Sequence, residues 1–163
     1  MPHSIAALNP ARHAGITQAL RQASAEAGVD FDYLVSTAMR ESSLDPEARA
    51  ATSSATGLFQ FTEQTWLDVI KRHGAEHGLG AAAAHIIQQD GRYKVPDAEM
   101  RQAILALRND PKTASLMAGE FTAENRQKLE GGLERPVSEG ELYAAHVMGA
   151  GGAVQLIAAS EAD

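Results

Sequence analysis

The sequence predicts a mainly α-helical protein made of one domain. Apolar residues recur three and four positions apart in several segments, and helix-capping residues precede many of these segments. No alternating pattern of convincing strand length is present. A chain of 163 residues normally forms a single domain, so we expect one helical domain over residues 1–163.

Turn-forming residues delimit the first two helices. Asn9-Pro10 predicts a helix start, and Gly28 predicts its end. Asp30 is a suitable N-cap for a second helix, which we expect to run from about residue 31 to Glu41. The apolar stripe of this second helix consists of Phe31, Leu34, Val35, Ala38 and Met39.

Helix signals continue through the rest of the chain. Thr62 can cap a helix in which Trp66 belongs to an apolar stripe, so we expect Trp66 in the core. Residues 73–80 contain three glycines and predict a break before an alanine-rich segment. Further helix starts are predicted at Asp97, Asp110-Pro111 and Ser138, with Glu141 completing a capping box. The glycine-rich run 149–152 predicts a tight junction between helices.

Composition excludes several classes of function. The net charge of −7 argues against nucleic-acid binding, and no apolar run approaches the length that spans a membrane. Without cysteine, disulfides and thiolate metal sites are excluded. The start of the chain lacks the basic and apolar regions of a secretion signal. Any ligand is therefore expected to bind in a shaped groove.

Glu41 is the leading candidate for a catalytic group. It follows Leu34 by seven residues and Ala38 by three, which places its side chain on the apolar side of the helix. It also lies in the last turn, where the helix dipole disfavours an anion. Burial and the dipole both favour the protonated acid. A protonated carboxylic acid can donate a proton to a leaving group.

The segment after Glu41 is suited to contact a polar ligand. Asp45-Pro46 forces the chain out of the helix shortly after the acid. Residues 52–57 are rich in hydroxyl groups, which can hydrogen-bond a polar ligand. Two phenylalanines then flank a glutamine, offering apolar contact with sugar rings together with an amide. The candidate ligand contacts here are Ser54, Phe59, Gln60 and Phe61.

Two motifs in this region resemble those of a known enzyme family. Glu41-Ser42 followed by Gly57-Leu58-Phe59-Gln60 is similar to the Glu-Ser and Gly-Leu-Met-Gln signature of lytic transglycosylases with the soluble lytic transglycosylase catalytic domain, relatives of goose-type lysozyme. Phe59 stands where methionine is usual. The similarity covers about residues 30–155, and its further matching positions are Pro46, Ala48, Ser54, Ala55, Asp110-Pro111, Gly119, Phe121 and residues 145–149.

The resemblance implies both a fold and a reaction. The fold is a lysozyme-like helical domain in which a small irregular or β-hairpin segment can follow the helix that carries Glu41. The reaction is cleavage of the MurNAc-GlcNAc β-1,4 bond of peptidoglycan glycan strands with formation of 1,6-anhydroMurNAc ends. Glu41 is the sole general acid and base in this scheme, and neither a metal nor an organic cofactor is required.

The last family motif is altered in this chain. His146 and Val147 replace a tyrosine and an asparagine that in the family help to fix the catalytic acid and the substrate. Tyr143 lies one helical turn before His146 and is able to supply the missing hydroxyl group. The substrate-binding residues expected from these motifs are Ser42, Tyr143 and His146.

A peptidoglycan substrate lies outside the bacterial cytoplasm, so we expect the protein to act in the periplasm or cell wall. Because no signal peptide is visible in this chain, the sequence predicts either an excised domain or delivery by another machine. A secretion apparatus, a flagellum or a phage particle is a suitable assembly partner of this kind.

Three alternatives remain open at the level of sequence. A hydrolytic muramidase of the same fold requires a second acid, for which Glu120 and Glu124 are available. A non-catalytic glycan-binding or assembly module would keep the groove without turnover. A zinc peptidase is suggested by the H-x-x-E-H spacing of His73 and His77, but the neighbouring glycines weaken the required helix. We therefore expect a solvated histidine pair and no metal.

Overall fold

A computed structural model describes residues 10–162, which are mainly helical with one small antiparallel hairpin. The helices are α1 (Pro10–Ala27), α2 (Phe31–Ser42), α3 (Glu63–His73), α4 (Gly80–Ala84), α5 (Ala98–Ala106), α6 (Pro111–Leu133), α7 (Glu139–Met148) and α8 (Ala150–Glu161). Short 3-10 turns cover Gly74–His77 and Leu107–Asn109. The predicted mainly α-helical class is confirmed, whereas Asn9 lies outside the described residues.

The helix starts follow from local capping chemistry, as the sequence predicts. Asp30, Thr62 and Asp110 each accept a hydrogen bond from the backbone N–H three residues later. Ser138 and Glu141 form the expected capping box at the start of α7. Such side chains satisfy backbone N–H groups that have no partner in the first turn, so these starts are encoded in short stretches of sequence.

Helix α6 is the central element of the fold. It contacts α1, α2, α3, α7 and α8, and its interior residues include Met117 and Ala118. Gly119 allows α1 to approach closely, because a Cβ atom there would lie 3.0 Å from Ala27 Cβ and 3.1 Å from the Ala23 carbonyl oxygen. Among residues 10–162, no helix combines the length and apolarity needed to cross a membrane.

Trp66 anchors α3 in the core. Its side chain is fully buried, and its indole Nε1 donates a hydrogen bond of 2.8 Å to the Ile104 carbonyl oxygen. An indole N–H needs such a partner when it is removed from water. The prediction of a core role for Trp66 is therefore confirmed.

The small hairpin consists of β1 (Ile87–Gln89) and β2 (Arg92–Lys94), paired so that Gln88 lies opposite Tyr93. Asp90 and Gly91 form its turn, with φ angles of 53° and 75°. Positive φ at both central residues is typical of the tight turn that joins two twisted strands. The segment directly after α2 is instead an irregular loop with two isolated bridges, which pair Thr56 with Arg49 and with Phe61.

Helix α2 presents Glu41 at its C-terminal end. Its buried face comprises Tyr33, Leu34, Thr37, Ala38 and Ser42. The prediction that Met39 belongs to this face is wrong, because Met39 is 50% exposed. Ser43 adopts a left-handed conformation with φ of 54°, which ends the helix directly after the acid. Glu41 is half-buried at this edge of the core.

Candidate active site

Glu41 lines a pocket of about 430 Å³ that lies between α2, the following loop, α6 and α7. The lining residues are Glu41, Ala50, Ser53, Ala55, Gln60, Phe61, Thr62, Thr65, Phe121, Tyr143, His146 and Val147. Glu41 is the sole carboxylate in this lining, as far as the described residues show. Four of the predicted ligand contacts, Gln60, Phe61, Tyr143 and His146, share the pocket with it.

Tyr143 is the direct partner of Glu41. Its hydroxyl donates a hydrogen bond of 2.6 Å to Glu41 Oε1, across 102 positions of sequence. Burial raises the pKa of Tyr143, and the hydrogen bond to Glu41 acts in the same direction, so the phenol remains a donor at neutral pH. The Arg40 guanidinium lies over the phenol ring, 4.2 Å from its centroid, and helps to fix the ring. Tyr143 thus fixes one oxygen of the acid and leaves Oε2 to exchange a proton.

Glu41 takes part in no salt bridge in the described part of the chain. Within residues 10–162, no lysine, arginine or histidine nitrogen lies within 4.0 Å of its carboxylate oxygens. An ion pair would hold a carboxylate in its charged form. Glu41 is therefore held by a hydrogen bond from a neutral phenol and not by a salt bridge.

His146 joins α7 to the loop below the pocket. Its Nε2 lies 3.0 Å from the Phe59 carbonyl oxygen, which can only accept, so Nε2 carries the proton of this bond. Burial lowers the pKa of His146 and favours the neutral ring. A neutral ring protonated at Nε2 has an unprotonated Nδ1. His146 can therefore offer a hydrogen-bond acceptor to a hydroxyl or amide group in the pocket.

The loop under the pocket has a tightly constrained backbone. Gly57 has a φ of +89°, and a Cβ atom there would lie only 2.0 Å from the Arg108 carbonyl oxygen. Gln60 also has a positive φ, 53°, and its Nε2 donates to the carbonyl oxygens of Ala48 and Gly57 at 3.0 and 2.9 Å. These contacts explain why a glycine and a glutamine occur at this spacing.

Ser42 and Phe59 do not line the pocket, contrary to their prediction as ligand contacts. Phe59 is 1% exposed, and the Ser42 hydroxyl donates to the carbonyl oxygens of Ala38 and Leu58 at 2.9 and 2.8 Å. Both side chains instead hold the loop against α2. Phe61 reaches the lining, but its ring packs against Trp66 and Phe121, so it forms the floor and does not present a free stacking face.

Ser54 lies in an adjoining pocket of about 510 Å³ and not in the Glu41 pocket. Its Oγ accepts a hydrogen bond of 3.1 Å from the Glu63 backbone N–H. The two pockets share Ala50, Ser53 and Ala55, so they form neighbouring parts of one groove along the loop. Ser54 is therefore placed to contact a ligand that extends beyond Glu41.

Two residues that support the loop were missed by sequence reasoning. The Arg108 guanidinium is buried and donates to the carbonyl oxygens of Ser54 and Phe61 at 2.7 and 3.1 Å. The Asn109 amide donates to the Pro46 carbonyl oxygen at 2.9 Å and to Thr56 Oγ1 at 3.0 Å. These contacts join residues about fifty positions apart, and no local pattern in the sequence marks them.

The predicted solvated histidine pair is wrong. The His77 side chain is only 8% exposed, and His73 and His77 are each flanked by glutamates. Helix α3 ends at His73, so the two residues do not occupy one continuous helix as a zinc-peptidase motif requires. Glu120 and Glu124 are the partners of these histidines and are not among the lining residues of the Glu41 pocket. Neither acid is therefore placed to activate water there.

The Glu41 pocket combines one carboxyl group able to exchange a proton with neutral hydrogen-bonding groups from Tyr143, His146 and Gln60. This combination suits acid–base chemistry on an uncharged, hydroxyl-rich substrate. No known protein-family model matches this chain. What the protein does must therefore be inferred from the pocket itself.

Proposed function

We propose that this protein is a peptidoglycan lytic transglycosylase that cleaves the MurNAc-GlcNAc β-1,4 bond. One observation carries the proposal: the pocket contains a single carboxylate, Glu41, whose hydrogen-bond partner is the neutral phenol of Tyr143. Most glycosidases instead place two carboxylates on either side of the scissile bond. A pocket with one acid favours a reaction in which the same group first gives and then accepts a proton.

The proposed reaction has two steps, and both use Glu41. In the first, the protonated carboxyl group donates its proton to the glycosidic oxygen while the MurNAc acetamido oxygen attacks C1 and the C1–oxygen bond breaks. In the second, the Glu41 carboxylate accepts the proton of the C6 hydroxyl, and O6 attacks C1 as the acetamido oxygen leaves. The product is a 1,6-anhydroMurNAc end, and Glu41 recovers its proton without the addition of water.

The remaining pocket residues fit a glycan substrate. The unprotonated Nδ1 of His146 can accept a hydrogen bond from a sugar hydroxyl or acetamido N–H group. Tyr143 donates a hydrogen bond to Glu41 Oε1. Its phenol thereby supplies the hydroxyl group that the altered last motif lacks. The adjoining pocket around Ser54 extends the groove beyond the scissile bond, as binding of a glycan strand requires. Action in the periplasm or cell wall, with delivery by a secretion, flagellar or phage machine, belongs to this proposal.

A hydrolytic muramidase and a non-catalytic glycan-binding module would each require different groups in the same groove. A hydrolytic muramidase needs a base for water, and the described part of the pocket supplies no second carboxylate. A non-catalytic glycan-binding module needs the groove but not Glu41. Turnover and binding measured on the same variant therefore separate the three functions.

The test compares Glu41→Gln with wild-type protein on purified peptidoglycan. We expect release of muropeptides by the wild type, their loss in Glu41→Gln, and sedimentation of both proteins with the glycan. Glu47→Gln is the matched control, because Glu47 is an exposed glutamate on the neighbouring loop. Turnover by Glu41→Gln at the wild-type rate contradicts the proposal. Binding by both proteins without any muropeptide release would establish the non-catalytic module instead.

A further inference from the structure

A second group of ionisable side chains lies outside the Glu41 pocket, between α1, the end of α3 and α6. We call it the His–Glu cluster, and its members are His73, His77, Glu26, Glu76, Glu120 and Glu124. The side chains of Glu120 and Glu124 are each 15% exposed, so the part of the cluster that lies on α6 is largely removed from water, whereas Glu26 and Glu76 lie at its rim. The proposed peptidoglycan reaction does not use it.

Each imidazole in the cluster faces a carboxylate at both nitrogens. His73 Nε2 lies 2.8 Å from Glu124 Oε2, and His73 Nδ1 lies 3.6 Å from Glu120 Oε2. His77 Nε2 lies 2.9 Å from Glu120 Oε1, and His77 Nδ1 lies 3.2 Å from Glu26 Oε2. A neutral imidazole carries one N–H group. When a neutral His73 donates to Glu124, its Nδ1 lone pair therefore points at an oxygen lone pair of Glu120, so either a second ring proton or a metal ion must lie between them.

The separation between these two atoms suits a shared metal ion. The distance from His73 Nδ1 to Glu120 Oε2, 3.6 Å, exceeds an ordinary hydrogen bond. Two ligands on a tetrahedral zinc ion at about 2.0–2.1 Å from the metal are about 3.4 Å apart. Donor atoms of His73, Glu76 and Glu120 all lie within 4.8 Å of one another. Glu76 is exposed, so its side chain can close on an ion with little disturbance.

We call His73, Glu76 and Glu120 the ligand trio. The charges of the surrounding side chains also favour a bound cation at this trio. Glu124 is already paired with Arg72 and with Lys128. Among residues 10–162, no lysine or arginine nitrogen lies within 4.0 Å of a carboxylate oxygen of Glu26, Glu76 or Glu120. Carboxylates that are partly removed from water require a compensating positive charge.

Hydrogen bonds outside the trio are arranged to orient its ligands. Glu124 accepts from His73 Nε2, which leaves Nδ1 free to bind a metal. His77 contacts Glu120 Oε1, which leaves Oε2 directed at His73. Metal-binding histidines usually donate their other ring N–H to a carboxylate in this manner, and bound carboxylates are held by a second hydrogen bond.

We propose that His73, Glu76 and Glu120 form a binding site for one Zn²⁺ ion, with Glu124 and His77 orienting two of its ligands. The bound ion ties the turn that follows α3 to α6. The ion takes no part in the proposed reaction at Glu41, because none of the three ligands lines the Glu41 pocket. The site differs from a zinc-peptidase pair, since His77 contacts Glu120 and is not a member of the trio.

The test is titration of tag-free, chelator-treated protein with Zn²⁺ by isothermal calorimetry, together with thermal unfolding. We expect one ion per chain and a rise in Tm of about 5–10 °C when free Zn²⁺ exceeds the dissociation constant a hundredfold. His73→Gln should abolish binding, and Glu76→Gln should weaken it at least about tenfold. Glu76 is exposed, so this variant keeps the test valid even if His73→Gln folds poorly.

His85→Ala is the matched control, because His85 is an exposed histidine outside the cluster. We expect this variant to bind Zn²⁺ as the wild type does. The proposal is overturned if the wild type binds no stoichiometric ion, or if binding survives in both His73→Gln and Glu76→Gln.

Discussion

The Glu41 pocket and the His–Glu cluster place glutamates in opposite surroundings. Glu41 has a neutral phenol as its partner, whereas Glu124 contacts a histidine, an arginine and a lysine. Glu41 is held by a side chain from another helix, and Glu124 is held by side chains from α3 and from its own helix α6. The difference lies in the charge of the partners, which is zero for the phenol at Glu41 and positive for Arg72 and Lys128 at Glu124.

Under the proposed function, burial alone does not identify the catalytic acid. The Glu124 side chain is more than four-fifths buried, yet its cationic partners make it part of the scaffold. Glu41 is half-buried and lies beside a groove with a donor that cannot neutralise it. Position beside an open groove and the absence of a cation are therefore better guides than burial.

The largest expected effect comes from exchanging a carboxyl for an amide in each region. Glu41→Gln should lower the rate of muropeptide release at least about a hundredfold with little change in Tm, because the amide keeps the shape but cannot cycle a proton. Glu120→Gln should do the reverse, with a lower Tm and an unchanged rate per folded molecule. Liquid chromatography of digests and thermal unfolding provide the two readouts. Equal losses of muropeptide release in both variants would contradict the assignment of different roles to the Glu41 pocket and the His–Glu cluster.

Tyr143→Phe sharpens the comparison by removing only the hydroxyl that contacts Glu41. We expect a fall in kcat of about tenfold to a hundredfold, because one oriented donor is lost from the acid. The ring and its contact with Arg40 remain, so Tm should change little. Since Tyr143 acts through Glu41, the pH dependence of kcat should also shift. An unchanged pH profile combined with a reduced Tm would indicate a merely structural role.

Glu124→Gln tests the scaffold carboxylate in Zn²⁺-free buffer. Loss of its charged contacts with His73, Arg72 and Lys128 should lower the free energy of unfolding by about 1 kcal/mol, a modest value because Arg72 and Lys128 are partly exposed. Urea denaturation measures this change. Glu130→Gln, in the same helix and outside the described ion pairs, is the control and should unfold as the wild type does. Equal stability of all three proteins would show that these ion pairs are not needed.

The smallest effect concerns acid stability at His146. Burial lowers the folded-state pKa of His146, so between that pKa and about 6.5 the unfolded chain binds the proton more readily. The contribution of His146 to stability is therefore present above about pH 6.5 and declines as the pH falls below it. Urea midpoints at pH 7 and pH 5 should differ more for the wild type than for His146→Gln. An equal difference in the two proteins would contradict the neutral imidazole.

Much of the fold could be predicted because its signals are local. Asp30, Thr62 and Asp110 mark helix starts by hydrogen bonds that span three residues, and each was recognised from the sequence. The resemblance allowed for a small hairpin, which the structure contains, but no sequence pattern located it, since its strands have three residues each. The Asp90-Gly91 pair was the available signal for its turn.

Local patterns identified the contiguous part of the candidate site, whereas Tyr143 and His146 were predicted only through the family resemblance. Glu41 and the Gly57–Gln60 segment lie close in sequence, so their joint role could be anticipated. The Glu41–Tyr143 hydrogen bond spans 102 positions and depends on how α7 packs against α2. The same reason explains why Ser42 and Phe59 were assigned to the ligand: sequence spacing does not show which side of the loop faces α2.

Digestion of peptidoglycan in oxygen-18 water tests the single-carboxylate account most directly. If Glu41 alone gives and accepts the proton while the C6 hydroxyl attacks, the muropeptides will be lighter than hydrolysis products by one water, and mass spectrometry will find no oxygen-18 at the new ends. A parallel digest with a known muramidase supplies the labelled reference products. Muropeptides from this protein that carry one oxygen-18 atom and reducing MurNAc ends would show that water attacks, and would contradict the account.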